Sequence, residues 1–245
     1  PKKYTDLYED CPFETCPQGE THPWAKTEVL AGYQRPRESL IGYFAAVTAM
    51  DDNVGRILKK LEEENLMEDT LIIFSSDNGF NCGHHGIWGK GNGTFPLNMY
   101  DSSVKVPLIM CHKGHIPENQ VCDEMHSGYD FMPTLLEYLG FENDEADELP
   151  GKSFLPALMG QEHKSEDGRV VVFDEYGPVR MIRSRKYKLV HRYPYGPDEF
   201  YDLEADPGET HNGIEDEQYQ DMIQDMKKQM ELWFLQYVDP RIDGA

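Results

Sequence analysis

The chain has 245 residues, enough for one large domain or for one domain with a small appendage. Hydrophobic residues make up 39% of it, which excludes wholesale disorder, and the formal net charge of −22 argues against nucleic acid as a partner. No apolar stretch approaches the roughly 20 residues of a membrane span, so the sequence predicts no bilayer crossing.

The cysteine content favours a reducing compartment. Five cysteines are an odd number without the density of a small disulfide scaffold, so we expect a cytoplasmic protein, although a disulfide between Cys11 and Cys16 stays open. The chain opens at Pro1 without an initiator Met, and we expect its true beginning to be missing. The sequence therefore leaves open whether the protein has a targeting segment.

Residues 1–38 are rich in proline, charge and aromatic side chains and show no sustained period. We expect an extended, partly ordered N-terminal segment. A zinc site built from Cys11, Cys16 and His22 lacks an apparent fourth ligand, so a plain loop is favoured.

A long helix is predicted from Ser39, a suitable N-cap, to about Asn65. Asp51 lies on the apolar stripe of this helix, and we expect a partly buried, hydrogen-bonded carboxylate that fixes the helix against its neighbours. The stripe that we expect to be buried consists of Leu40, Phe44, Val47, Val54, Leu58 and Leu61.

The apolar run at residues 70–76 predicts a strand buried on both faces, as in a parallel sheet. Asp77 and Asn78 follow it directly, and open α/β sheets place their ligands at the carboxyl ends of such strands. Both side chains offer hard oxygen donors, the type that Ca²⁺ and Mg²⁺ prefer. The sequence therefore predicts a metal site here.

The next residues add imidazoles and a cation to the same loop. His84, His85 and Lys90 follow Asp77 within 14 residues, among glycines that let the backbone approach a ligand closely. A lysine between two glycines is placed as a flexible point charge for a tetrahedral anion. Asn-Gly is also a common turn, so residue types alone leave an ordinary loop open beside metal-assisted chemistry on an anion.

The remaining elements indicate two parts. A second short strand is predicted at residues 106–110 and a helix at 129–139, ended by Gly140. After residue 168, short strands between Gly and Pro turns predict an antiparallel sheet, and residues 214–237 predict a terminal amphipathic helix. We therefore divide the chain into a main α/β part, 1–167, and a small α+β subdomain, 168–245.

These motifs, in this order, resemble the C-terminal half of a sulfatase, over about residues 39 to 210. The central motifs are residues 43–51, Val54-Gly55-Arg56, Ser76-Asp77-Asn78-Gly79, Gly83-His84-His85-Gly86, Gly89-Lys90-Gly91 and Val106-Pro107-Leu108-Ile109. The downstream motifs are residues 130–136, 151–154, 181–189, 201–203 and 206–209.

The resemblance implies an alkaline-phosphatase-like α/β fold, part of whose sheet is flanked by helices, with a small C-terminal antiparallel sheet and a terminal helix. It implies that Asp77 and Asn78 supply part of the shell of a divalent cation, usually Ca²⁺, with Mg²⁺ as the alternative. It also implies that Lys90 contacts the sulfate oxygens and acts in catalysis, and that His85 of the Gly-x-His-Gly segment binds substrate. Asp51 and Asp130 match recurrent positions that we interpret as structural.

One part of the family pattern is absent. Sulfatases use a formylglycine made from Cys or Ser in a Cys/Ser-x-Pro/Ala-x-Arg motif, and no Cys or Ser of this chain begins one. The family's first metal carboxylates and its upstream Lys and His are absent as well. All of these lie in the family's N-terminal half, so we expect that half to be the partner of this chain, and the chain alone to be inactive.

Rival functions stay open. A phosphonate monoester or phosphodiester hydrolase shares the fold, the cation and the lysine, and a non-catalytic fragment or degenerate binder of sulfated ligands needs no nucleophile. A zinc protein built on Cys82, His84, His85 and Cys111 is a further alternative. The sequence leaves open whether the substrate is a small-molecule or a saccharide sulfate ester, which residue becomes formylglycine, and the oligomeric state.

Overall fold

The structure is a computed structural model and describes residues 1–28, 30–161, 168–174, 177–239 and 241. The chain forms two compact units, Pro1–Ile116 and Pro117–Ala245. The boundary predicted after residue 167 adjoins residues 162–167, which lie outside the described residues, and it stays a prediction. Within the described ranges, no helix combines the length and apolar character that a membrane crossing requires.

The first unit contains four helices and four short strands among its described residues. The long helix begins at Pro36, where a missing N–H is tolerated in the first turn, and so starts three residues before the predicted Ser39. The helices are α1 (Lys2–Thr5), α2 (Ala31–Gln34), α3 (Pro36–Glu63) and α4 (Asp101–Val104). The strands are β1 (Ile72–Ser75), β2 (Asn81–Cys82), β3 (Trp88–Gly89) and β4 (Leu108–Cys111).

The N-terminal segment is irregular over most of the described residues from 9 to 30, as predicted, and it is anchored by the buried Phe13 and Cys16. Its aromatic side chains bury themselves against α3: the rings of Phe13 and Phe44 lie 5.2 Å apart, and Tyr8 packs against both. Each of the five cysteines is a free thiol, so the disulfide that the sequence left open is absent. The buried cluster beneath this segment consists of Phe13, Cys16, Leu40, Cys82 and Trp88.

Helix α3 buries the predicted stripe except at Val47, with Leu40 buried and Phe44 half-buried beneath the N-terminal segment. The Tyr8 hydroxyl lies 2.6 Å from Thr48 Oγ1, and the Tyr4 hydroxyl donates to Asp52 at 2.8 Å, so the N-terminal segment covers the face that carries these residues. Val47 and Asp51 are exposed as a result. The expected partly buried carboxylate at Asp51 was wrong.

Strand β1 pairs with β4 in an antiparallel ladder, with Ile72 opposite Cys111 and Ser75 opposite Leu108. Burial alternates along β1 between half-buried and exposed positions, so the expectation of a parallel-sheet strand buried on both faces was wrong for this chain. The reason is that, among the described residues, β4 is the single neighbour of β1. Apolar side chains of the pair therefore stay partly uncovered.

The second unit is a four-stranded antiparallel meander packed against a terminal helix, as the sequence predicted. Asp130 is buried and accepts hydrogen bonds from the backbone N–H groups of Ser127 (2.7 Å) and Lys152 (2.8 Å), which confirms its structural role. The elements are α5 (Phe131–Leu139), β5 (Arg169–Phe173), β6 (Val179–Ser184), β7 (Tyr187–Arg192), β8 (Glu199–Asp202), α6 (Leu155–Leu158) and α7 (Gln220–Tyr237), with strand order β5-β6-β7-β8. The core residues are Val171, Ile182, Leu189 and Phe200 of the sheet with Ile223, Met226, Met230 and Phe234 of α7.

Candidate active site

The four site residues predicted from the sequence all lie on the long connection between β1 and β4, residues 76–107. Asp77 and Asn78 directly follow β1, as predicted; Asp77 is exposed and Asn78 is half-buried. A Cβ added to Gly79 would lie 2.2 Å from the Ser102 carbonyl oxygen, so the residue after the Asp-Asn pair must be glycine.

A buried network of amides and hydroxyls organises this connection. Asn81 Nδ2 donates to Ser103 Oγ at 2.7 Å, and Ser103 Oγ donates to Asn98 Oδ1 at 2.6 Å. All three side chains are at most 3% exposed. Buried polar groups that satisfy one another in this way fix a single loop conformation. We call Asn81, Asn98 and Ser103 the amide network.

The amide network holds both ends of the predicted site. The Gly79 N–H donates to the Ser103 carbonyl at 2.9 Å, directly after the Asp-Asn pair. Asn98 Nδ2 donates to the carbonyls of Gly91 at 3.1 Å and Lys90 at 3.4 Å. The backbone after Asn78 is therefore bonded to the backbone of Ser103, and that of Lys90 to the Asn98 side chain. Ser103 and Asn98 are joined to each other within the amide network.

The side chain of Lys90 is exposed, and its flanking residue Gly89 has a φ of 141°, which favours glycine. Throughout the part of the chain that the structure describes, no side chain or backbone group bonds to the side chains of Asp77, Asn78 or Lys90. Solvent or a ligand is thus their hydrogen-bonding partner. These are the groups that the sequence singled out for a cation and an anion.

The two histidines of the loop have different surroundings. The His84 ring accepts the Cys82 N–H at Nδ1 (3.4 Å) and contacts the Thr15 carbonyl through Nε2 at 2.8 Å, so both ring nitrogens serve the packing of the loop. His85 is half-buried and stacks on Tyr100, with ring centroids 3.7 Å apart and planes 6° from parallel. The Tyr100 carbonyl accepts the Ser103 N–H at 2.8 Å, which connects His85 to the amide network.

Cys82, the cysteine of this connection, is not an activated thiol. Burial, together with the neighbouring Cys16, raises the pKa of Cys82 to about 12. The thiol is therefore protonated at neutral pH and is a poor nucleophile. This agrees with the absence of a nucleophile motif from the sequence.

The donor set fits a hard cation in kind but is incomplete in number. A carboxylate and an amide oxygen suit Ca²⁺, which takes about six to eight oxygen ligands, so two side chains are a partial shell. In the described ranges, no group of three or more His, Cys, Asp or Glu residues is placed to hold a metal ion. The zinc arrangements considered from the sequence are therefore not formed by these residues.

Two family models match the chain. The model described as Sulfatase matches residues 13–141, and the model described as N-sulphoglucosamine sulphohydrolase, C-terminal, matches residues 83–234. A choline-sulfatase of Rhizobium meliloti (strain 1021) is 32% identical over 227 residues, which cover 86% of this chain and 42% of that protein.

Solved structures show the same fold. The structure of BT4656 in complex with its substrate D-glucosamine-2-N,6-O-disulfate has a TM-score of 0.74 and 28% identity, over 89% of this chain and 44% of that one. A phosphonate monoester hydrolase of Agrobacterium radiobacter has a TM-score of 0.71 and 26% identity, over 83% and 42% of the two chains. The chain thus spans less than half the length of each of these relatives. The predicted alkaline-phosphatase-like α/β architecture is confirmed, and the chain belongs to the sulfatase family.

Proposed function

We infer that this chain forms the sulfate-binding wall of a formylglycine sulfatase, a hydrolase of sulfuric esters. The observation that carries this proposal is the common anchoring of Lys90 and the Asp77-Asn78 pair on one buried amide network. The motif places a cation donor set and a positive charge on one preorganised loop, which is the arrangement that an anionic ester requires.

Lys90 has the role of binding the non-bridging oxygens of the sulfate group. Its ammonium is a compact charge with three donors, and the chain around it is strongly acidic, so the positive charge is local to the site. His85 contacts the ester from the neighbouring turn. A bound Ca²⁺ would supply Lewis acidity, and a formylglycine from the N-terminal half would supply the nucleophile.

Asp77 and Asn78 would hold the cation with oxygens from the N-terminal half, water and substrate. We expect Asp77→Ala to weaken the affinity of the complete enzyme for Ca²⁺ by about tenfold or more, because a charged ligand is lost. Calcium titration of chelator-treated enzyme, followed by calorimetry, measures this directly. Asp69→Ala is the matched control, since Asp69 is an exposed carboxylate that precedes β1. Equal Ca²⁺ affinity in the Asp77 variant and the wild type would remove Asp77 from the metal shell.

A phosphonate monoester hydrolase is the second candidate, because a solved enzyme of that activity shares the fold at 26% identity. Parallel turnover of 4-nitrophenyl sulfate and 4-nitrophenyl phenylphosphonate by the complete enzyme separates the two. A higher kcat/KM for the sulfate supports our proposal, and a higher value for the phosphonate overturns it in favour of the alternative.

The exposed apolar surface of the first unit supports a partner half. Tyr43, Val47, Met50 and Ile57 lie on one face of α3 at helical spacing and are 41–62% exposed, and Ile109 of β4 is 60% exposed. An exposed apolar helix face of this kind marks an interaction site. We assign it to the N-terminal half, whose absence also explains why β1 lacks a second neighbouring strand among the described residues.

A charge on this face should weaken the association. We expect Val47→Glu to lower the affinity of this chain for the N-terminal half, expressed as a separate polypeptide, by about tenfold or more, since the carboxylate would be buried without a partner. Lys59→Gln changes the net charge by the same amount at an exposed position on the opposite side of α3 and should leave affinity unchanged. Calorimetry of the two polypeptides measures both, and equal affinities for Val47→Glu and wild type would contradict the assignment.

The coding sequence upstream of Pro1 tests whether the complete protein is an enzyme. A Cys/Ser-x-Pro/Ala-x-Arg motif there supports a sulfatase. Its absence supports the remaining alternative, a degenerate protein that binds sulfated ligands without cleaving them.

A further inference from the structure

The backbone of His85 is held in an unusual conformation by a distant segment. Its φ of 54° and ψ of 20° lie in the left-handed region, which is unfavourable for a residue with a side chain. The His22 N–H donates to the Gly86 carbonyl at 3.1 Å, and a Cβ added to Gly86 would lie 1.9 Å from the Glu20 carbonyl oxygen. Residues 20–22 therefore pack directly against the turn that contains His85 and Gly86.

The plane of the His85 ring is set by Tyr100. The two rings are parallel within 6° at a centroid distance of 3.7 Å, so rotation of the imidazole about its Cβ–Cγ bond would break the stack. Tyr100 is buried, at 7% exposure, and cannot follow such a rotation. The stack therefore fixes the orientation of the imidazole plane.

Tyr100 is in turn fixed by His22. The Trp24 N–H donates to His22 Nδ1 at 3.1 Å, so neutral His22 carries its proton on Nε2. That Nε2 lies 3.4 Å from the Tyr100 hydroxyl oxygen, to which it donates. One residue thus contacts both supports of His85: its backbone bonds to the turn, and its ring bonds to the tyrosine.

We propose that Tyr100 and His22 are positioning residues for the His85 imidazole: Tyr100 fixes its plane, and His22 fixes both the tyrosine and the left-handed turn. The proposal rests on the proposed function, in which His85 contacts the sulfate ester. Neither residue belongs to the motifs that identified the site from the sequence. Because Tyr100 and His22 act through His85, substitution of either residue should change the orientation of the His85 ring and, through it, the activity.

Nuclear magnetic resonance on the 245-residue chain tests the geometry without any turnover. Long-range ¹H–¹⁵N spectra should show His22 as the Nε2–H tautomer, and the ring protons of His85 should be shifted upfield by Tyr100. Tyr100→Leu should remove that upfield shift, and Tyr100→Phe, which keeps the ring, should retain it. An Nδ1–H tautomer of His22, or His85 shifts that are unchanged in Tyr100→Leu, would overturn the proposal. If Tyr100→Leu fails to fold, the wild-type tautomer and the Tyr100→Phe spectrum still decide it.

Kinetics of the complete enzyme test the consequence. We expect Tyr100→Leu and His85→Ala each to lower kcat/KM for an aryl sulfate by about tenfold, and the double variant to lose no more than either alone, because one variant already removes the effect of the other. Tyr100→Phe should restore activity to within about threefold of wild type, and Tyr195→Phe, at an exposed position, is the control. Additive losses would overturn positioning through His85. Normal turnover of His85→Ala would instead show that His85 does not contact the substrate, which refutes that part of the proposed function. The magnetic resonance spectra would still test whether Tyr100 and His22 position the His85 ring.

Discussion

Lys90→Ala is expected to lower kcat/KM for an aryl sulfate by ~100-fold or more in the complete enzyme, the usual size of the loss when one preorganised charge at a reacting oxyanion is removed. The side chain of Lys90 is exposed, whereas its backbone carbonyl accepts a hydrogen bond from Asn98 Nδ2. The backbone of Lys90 is therefore fixed, while its ammonium group can bind a ligand without first breaking a bond to another of the described residues. Because Lys90 contacts the reacting sulfate group itself, its interaction should be strongest in the transition state, and kcat should fall more than KM rises. Steady-state kinetics give both constants.

Lys113→Ala is the matched control for this prediction. Lys113 is another exposed lysine of the first unit, 3.9 Å from Glu68, and its removal should leave turnover unchanged. Lys90→Arg keeps the charge but replaces the compact ammonium by a planar guanidinium, so we expect an intermediate loss. If Lys90→Ala and Lys113→Ala turn over equally well, Lys90 does not bind the sulfate.

The placement of the Asp-Asn pair after a strand was readable from the sequence because the signal is local, and the role of Lys90 stays a prediction with an equally local basis. An apolar run that ends in a carboxylate and an amide marks a strand end, and glycines around a single lysine mark a loop that approaches a ligand. Both interpretations need only adjacent residues. The structure places Asp77 and Asn78 at the end of β1, in agreement with the first of them.

The amide network was not readable because its members are joined by hydrogen bonds between loop residues without a period. Asn81 and Ser103 are 22 residues apart, and no spacing rule distinguishes these two from the other polar residues of the loop. The same holds for Tyr100 and His22, which are 78 residues apart. Long-range complementarity of this kind becomes visible only when the loop is folded.

The surroundings of β1 and the burial of Val47 on α3 were predicted wrongly for a common reason. Apolar periodicity indicates that a face is to be covered, but it does not identify what covers it. The run at 70–76 carries apolar side chains on both faces, and Val47 is an apolar member of the α3 stripe, yet Ile73 and Val47 are exposed in the first unit. The sequence thus described surfaces whose partner, in our proposal, is the N-terminal half.

In the second unit, Glu209→Ala is expected to lower the free energy of unfolding of the chain by about 3–5 kcal/mol, because removal of one member of a buried ion pair takes away a charged partner that water does not replace. Lys188 on β7 is fully buried, and its Nζ lies 2.5 Å from Glu209 Oε1. Glu209 reaches it from a turn in which Asp206 Oδ2 accepts the N–H groups of Thr210 (2.6 Å) and His211 (2.8 Å). Urea denaturation followed by circular dichroism measures the change.

Two further variants test whether the loss of stability comes from the burial of the charge or from the loss of any ion pair. Glu204→Ala removes the partner of the solvent-exposed Lys186, 2.8 Å away in the same subdomain, and should leave the unfolding midpoint nearly unchanged because water solvates the remaining ammonium. Lys188→Met combined with Glu209→Leu removes both buried charges and should recover most of the stability that Glu209→Ala loses, since neither side chain then needs a charged partner. Equal midpoints for Glu209→Ala and Glu204→Ala would show that Glu209 does not stabilise the buried Lys188 ammonium. A double variant as unstable as Glu209→Ala would show that the ion pair itself, rather than the avoidance of an unpaired charge, stabilises the sheet.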